Sequence, residues 1–181
     1  MWKQRALRGA FAALSLMATF AVAADKAGSP VAKDDRNFIM EAAQGGMMEV
    51  QMGKLAQQNG QSDAVKQFGK QLEDDHAKAN QELTGIAQKL GVTPPAQLDK
   101  KHQGKVDKMR KVKAPDFDRQ FAKMMVDDHE HDVKAFRKQA DKGKNAELKQ
   151  FAGQAVPTPE EHLKMARDLA GSTGKSGGKG K

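Results

Sequence analysis

The chain has 181 residues, 38% hydrophobic, 30% charged and 5% aromatic, which suits one domain of ordinary size and excludes collagen-like, disulfide-scaffold and multi-span membrane classes. It has no cysteine, so disulfides, thiolate nucleophiles, cysteine-ligated zinc, iron–sulfur clusters and a lipidated N-terminal cysteine are excluded, and site chemistry falls to carboxylates and histidines. The formal net charge of +8 has to be located along the chain before it implies a partner.

Met1 to Ala10 carries Lys3, Arg5 and Arg8 and no acid, and the apolar run Phe11–Ala23 ends in Ala21-Val22-Ala23. That order of basic region, apolar region and A-x-A site predicts a secretory signal over 1–23 that is cleaved after Ala23. A run of about 13 residues is too short to span a bilayer, which needs about 20, so no transmembrane span is expected after cleavage. Without adjacent arginines the signal is of the general-secretion type. An exported, cysteine-free chain suits a bacterial periplasm, a secreted location, or the periphery of the outer membrane. Residues 24–33 form a linker.

A bundle domain is predicted over 34–170. Its first helix, about Asp34 to Asn59, has Phe38, Ile39, Ala42, Gly46, Val50, Gly53 and Ala56 on one face, with Glu49 inside that face and Met47 and Met48 off it. Gly60-Gln61 turn the chain, and Ser62 caps a second helix striped by Val65, Phe68, Leu72, His76, Ala79, Leu83, Ile86 and Leu90. Gly91 and Pro94-Pro95 end it. A basic crossover helix follows over about 96–112, with Leu98, Val106 and Met109 as its apolar positions. Pro115-Asp116 opens the next long helix, with Asp116 as cap and Phe117, Phe121, Met125 and Phe136 inward. Asn145 caps a helix from Ala146. Pro157 interrupts it, and a capping box, Thr158 with Glu161, restarts it as far as Gly171. No segment alternates like a strand, so the fold class is all-α: an up-down four-helix bundle with an extra crossover helix. The tail 171–181, rich in Gly, Ser and Lys, is expected to be disordered. Without signal and tail the body is nearly neutral.

Several ionisable residues fall on apolar stripes. At about 100° per residue, His76 lies about 40° from Leu72, and Asp128, His129 and Asp132 lie at about −20°, 80° and 20° from Phe121. Glu49 and His162 do the same on their helices, all at similar heights along the bundle. FGKQLEDDH at 68–76 and FAKMMVDDH at 121–129 repeat Phe, Lys, Asp, Asp and His in register, as if two helices presented the same groups inward. Charges placed this way are mutually hydrogen-bonded, bound to a cation, or exposed by a different register. The residues available to a metal are Glu49, Glu73, Asp75, His76, Asp128, His129, Asp132 and His162. Were a metal bound, affinity would fall below about pH 6 as ordinary histidines protonate.

Phe38-x-x-x-Ala42-Ala43 with Glu49, Lys66-x-Phe68 with Asp75-His76, Phe117-Asp118 with Met125-Val126-x-x-His129, and Pro157-x-x-x-x-His162-Leu163 together resemble a secreted bacterial ferritin-like domain of unknown function, catalogued as four-one-four-two, over about Asp35 to Leu169. Members are often labelled outer-membrane or exported proteins. The resemblance implies a ferritin-like four-helix bundle and no established activity. Di-iron proteins of the wider superfamily use a lone Glu on two helices and Glu-x-x-His on the other two. Glu49 and Glu73-x-x-His76 match, but Val126 and Pro159 stand three before His129 and His162. A histidine-rich site with Glu49 and Asp75 or Asp128 suits zinc, copper or a single iron better than a ferroxidase centre.

The leading expectation is a non-enzymatic exported bundle protein of envelope maintenance or stress, with a metal-binding polar layer. Its alternatives are a reduced di-metal oxidase or peroxide-consuming enzyme, and a surface binder that meets lipopolysaccharide phosphates or anionic lipid through Lys100, Lys101, Lys105, Lys108, Arg110, Lys111 and Lys113. The basic run has no interleaved aromatics, which speaks against nucleic acid. Met40, Met47, Met48 and Met52 could offer thioethers to Cu(I), but gap-filling is the simpler role for methionines off the main face.

Overall fold

Six helices follow one another in a computed structural model that describes residues 30–176: α1 (Lys33–Asn59), α2 (Asp63–Lys89), α3 (Lys100–Arg110), α4 (Ala114–Lys142), α5 (Ala146–Ala155) and α6 (Pro157–Ser176). The expected signal 1–23, most of the 24–33 linker and the tail from 177 lie outside the described residues. The described residues contain no strand, and none of their helices is long and apolar enough to cross a membrane.

α1 and α2 pair as one antiparallel hairpin, α4 pairs with α5 and α6 as the other, and α3 crosses between them against α1 and α4. The first hairpin closes tightly because glycines meet at its crossing. A Cβ on Gly53 would lie 2.4 Å from the Gly69 carbonyl oxygen, and one on Gly69 would lie 2.6 Å from Ala56 Cβ. α2 ends in a Schellman motif, in which Val92 N donates to Ala87 O and Gly91 N to Gln88 O; Gly91 takes the positive φ of 66° that this turn requires.

The apolar core has two halves. One gathers Met52, Phe68, Leu72, Phe117, Phe121, Met125 and Ala166; the other gathers Phe38, Ile39, Leu83, Ile86, Leu148 and Phe151. On α2, Asp75 and His76 lie between the two sets, and on α4 Asp128, His129 and Asp132 do, so the polar layer stands between the halves. Met48, expected off the inward face, is 2% exposed. α1 is covered by α3 and α4 as well as α2, so more than one of its faces is buried, and Met48 and Met52 fill the core while Met40 stays exposed.

Caps are confirmed at Ser62, which accepts from Val65 N, and at Asn145, which accepts from Leu148 N. Two expected caps are corrected. α4 starts at Ala114 after Lys113, without a side-chain cap, and Asp116 pairs with Arg119 in the first turn. Thr158 lies inside α6, because Val156 keeps helical dihedrals and accepts from Glu160 N; Pro157 therefore bends the path from α5 to α6 without a restart. α6 also runs past Gly171 to Ser176, where Ser172 and Thr173 hydroxyls donate back to the Leu169 carbonyl. In the basic run, Lys105 is half-buried and pairs with Asp128, Lys101 faces Glu41, and Arg110 bonds Asp107 and Gln51. Lys105 is therefore an internal partner and not part of an exposed patch.

Two carboxylates pin the hairpins to each other. Asp35, at the start of α1 and 1% exposed, accepts from Lys144 N, Asn145 N (2.8 Å) and Gln139 Nε2 (2.8 Å) at the α4–α5 turn. Asp118, at the start of α4, accepts from Gln61 N (2.8 Å) and Ser62 N (2.9 Å) at the α1–α2 turn. Each satisfies backbone donors that a turn leaves open. Asp35→Ala should lower the unfolding free energy by about 2–4 kcal/mol, and Asp118→Ala, less buried, by about 1–2 kcal/mol, measured by denaturant titration with unchanged m-values.

Candidate functional site

The layer between the two core halves is built from one or two residues per helix. α1 supplies Glu49, α2 Asp75 and His76, α4 His129 and Asp132, and α6 His162. Glu49 is 1% exposed, His129 and His162 are fully buried, and the His76 side chain is 12% exposed.

Two of the imidazoles commit one nitrogen to an oxygen. His129 Nδ1–H donates to the Met125 carbonyl at 2.9 Å, one turn back on its own helix. His162 Nε2–H donates to Asp75 Oδ2 at 2.9 Å. His76 Nδ1 lies 3.1 Å from Glu49 Oε2, within ion-pair range. The Met125 carbonyl and Asp75 accept, so in the neutral rings the remaining nitrogens of the other two, His129 Nε2 and His162 Nδ1, are bare lone pairs. His129 Nε2 and His162 Nδ1 face each other at 3.3 Å, and His76 Nε2 is buried without a hydrogen-bond partner. One nitrogen from each ring lies within 4.8 Å of the others. Glu49 Oε1, 3.4 Å from His129 Nε2, receives no directed hydrogen bond either. Metal–nitrogen bonds of about 2.0–2.1 Å put tetrahedral ligands about 3.3 Å apart, the spacing that His129 and His162 already have.

The electrostatics keep these rings neutral. Burial, then the neighbouring His162, pulls His129 down to about 4. Burial, then His129 and His162, holds His76 well below the usual imidazole range, and burial lowers His162 against the opposing pull of Asp75. The carboxyls shift the other way. Burial and the facing Asp132, with Asp128 behind, raise Glu49 well above the carboxylate range, and burial lifts Asp132 to about 6. Two carboxyls in contact cannot both ionise cheaply, so they hold a proton between them.

Of the sequence-predicted residues, the structure brings together Glu49, Asp75, His76, His129, Asp132 and His162. Asp128 borders the layer: it is buried, pairs with Lys105, and leaves Oδ2 without a partner. Glu73 does not join. It is half-buried on the α1 side, accepts from Gln57 Nε2 at 2.7 Å and faces Lys54, so Glu73-x-x-His76 does not act as a pair. The Met125 carbonyl carries no side-chain signal and was not foreseeable. Lys105 was visible only as one member of a basic run. The expected loss of metal affinity below about pH 6 assumes ordinary imidazoles, whereas burial holds these three below the usual range.

The model for a domain of unknown function, DUF4142, matches residues 20–169. The crystal structure of a DUF305 fragment from Deinococcus radiodurans is similar at 15% identity and a TM-score of 0.67, covering 81% of this chain and 99% of that one, a likeness of fold alone. No curated protein matches the chain.

The two sets of shifted groups act oppositely on stability. His129 binds fewer protons folded than unfolded between about pH 6.5 and 4, so its contribution, about 3 kcal/mol, is present at neutral pH and lost as pH falls through that window. Asp132 binds more protons folded than unfolded, so its contribution is present at low pH and lost as pH rises through about 6. The terms offset each other in the wild type. Asp132→Asn should therefore lose stability more steeply than wild type between pH 6.5 and 4.5, seen as a larger drop in denaturation midpoint; parallel curves would contradict the coupling.

Proposed function

We propose that this chain, which belongs to the domain of unknown function DUF4142 family, is an exported helical-bundle protein that binds one transition-metal ion through His76, His129 and His162 and holds it without turning over a substrate. The observation that carries this reading is the convergence of one nitrogen from each of three buried imidazoles to within 4.8 Å, with His129 and His162 each tied to an oxygen through the other nitrogen. Such ties fix tautomer and ring orientation in metal sites. Without a metal, the His129 Nε2–His162 Nδ1 contact at 3.3 Å has to hold a proton of its own, and His76 Nε2 stays buried without a partner, at a cost of about 1–3 kcal/mol. Imidazoles with one nearby carboxylate suit zinc, copper or a single iron.

The residues fit a di-iron carboxylate centre poorly. Glu73 is turned to Gln57, and Val126 and Pro159 stand where the second half would need acids. The peroxide-consuming reading thus has no carboxylate set to support it. The A-x-A signal supports export to the periplasm or beyond. Lys100, Lys101, Lys108, Arg110, Lys111 and Lys113 are exposed along α3 and its flanks and suit a peripheral contact with anionic envelope surfaces. A role in envelope maintenance or stress is the process this reading favours.

The reading is tested on untagged protein purified from the periplasm. Elemental analysis should find one transition metal per chain, and titration of metal-free protein with Zn(II), Cu(II) or Fe(II) should raise its melting temperature for at least one of them. His76→Ala should abolish that rise; a stability loss in His76→Ala with no metal response in the wild type would leave only a network. Asp75→Asn should weaken metal binding about 10–100-fold by releasing His162, while Glu73→Gln leaves it unchanged. Affinity should persist below pH 6 and fall as pH approaches 4.

A further inference from the structure

Resting on the metal reading above, we infer that the ion enters and leaves the layer through an acidic cavity between α1, α2 and the α5–α6 arm, with the His76 side chain as the gate. The layer is sealed as it stands. His76 Nε2 and Glu49 Oε1 are buried from solvent and His129 and His162 are 0% exposed, so no ion reaches the three rings until a side chain moves. His76 is the ring free to do so. Its side chain is 12% exposed and is only in ion-pair range of Glu49, whereas His129 is hydrogen-bonded to the Met125 carbonyl and His162 to Asp75, each at 2.9 Å. It is also the one imidazole of the three on the wall of the cavity, which has a volume of about 220 Å³ and meets the layer at His76, Glu49 and Asp132. The opposite side is closed by Phe68, whose ring centroid lies 6.4 Å from His129 and 5.8 Å from His162.

Small residues leave the gate room to swing. Ala79, three residues after His76 on α2, Gly45 on α1 and Ala155 at the end of α5 line the same cavity, and a Cβ on Gly45 would meet no atom within 4 Å. The charges draw a cation in. Glu49, Asp75, Glu82 and Asp132 face Lys78 as the one basic residue of the wall, and a cleft dominated by one sign of charge concentrates ions of the other. A larger cavity of about 470 Å³ on the α3 side is the competing approach, but none of the three imidazoles lines it. It comes to the layer only at Asp128 and Asp132, and Lys101, Lys105, Lys138 and Lys142 stand in its walls. Because an ion uses one path in both directions, an obstacle in the smaller cavity changes the rates of loading and release and leaves the affinity alone.

The test follows uptake of Co(II) by the metal-free full chain, through its visible absorption in stopped flow, and removal of Co(II) from the loaded chain by a chelator. Ala79→Leu and Ala155→Leu, which line only the smaller cavity, should each slow both processes at least about tenfold while Co(II) affinity stays within about threefold of wild type. Ala135→Leu, which lines only the larger cavity, should leave both rates unchanged. Glu82→Gln, exposed and outside the layer, should slow uptake about two- to fivefold at low salt and match wild type at about 1 M salt, where screening removes the steering. Relaxation dispersion on the metal-free chain should find the His76 ring exchanging between positions while His129 and His162 stay fixed. Unchanged rates in folded Ala79→Leu and Ala155→Leu, slowing by Ala135→Leu instead, or a His76 ring as fixed as the other two would overturn this inference alone. Failure of the wild type to take up Co(II) would overturn it together with the metal reading. Should both leucine variants fail to fold, Glu82→Gln decides, since uptake equal to wild type at low salt contradicts the route.

Discussion

Three buried imidazoles, two of them tied by an N–H to an oxygen and the third in ion-pair range of Glu49, turn one nitrogen each toward one another inside a bundle, and the surrounding architecture is arranged around that layer. It divides the apolar core, so each long helix has to be apolar above and below it and polar at one height. Leu72 and Leu83 flank His76 on α2, and Met125 and Val133 flank His129 on α4. Phe68 closes the layer from one half of the core, and Phe136, from the other, lines the cavity that reaches it. A buried polar layer is costly unless every member is satisfied or a cation completes it.

Holding such a layer at one height demands that the two hairpins cannot slide. Asp35 and Asp118 meet that demand from opposite ends: each begins a long helix of one hairpin and accepts backbone amides from the turn of the other. A slip of one helical turn, about 5.4 Å, would strand these amides and separate His162 from Asp75. The Gly53–Gly69 contact adds a third constraint by fixing where α1 and α2 come closest. Lys105 then reaches from α3 to Asp128, so the crossover helix neutralises an acid at the edge of the layer.

The acids of the layer divide their work by environment. Asp75, partly exposed, stays available as an acceptor for His162, while Glu49 and Asp132, facing each other in the interior, share a proton. Glu73 has the spacing of a ligand but not the direction. Three residues before His76, it is rotated by about 60° toward α1, where Gln57 and Lys54 receive it.

Helix identity, the inward faces and the set of groups in the layer follow from local rules. A period of 3.6 residues, the caps at Ser62 and Asn145, and the Gly91 stop need no knowledge of neighbours, and the placement of Glu49, His76, His129 and His162 on apolar stripes needs only the same angle. Those elements were legible in the sequence, as was the all-α bundle with its crossover. What a residue on the margin of a stripe does depends on which helix covers it. Met48 became core because α3 and α4 close over α1, Lys105 left the exposed basic run because Asp128 stood across from it, and Glu73 was lost from the layer to α1. Thr158 failed as a cap because the chain keeps helical dihedrals through Val156, whose carbonyl already accepts from Glu160 N. Most of all, the sequence determined that four helices would carry ionisable groups inward, whereas only the tertiary structure decided which nitrogen of His129 and of His162 faces the other, because that choice is made by oxygens on another turn and another helix: the Met125 carbonyl and Asp75.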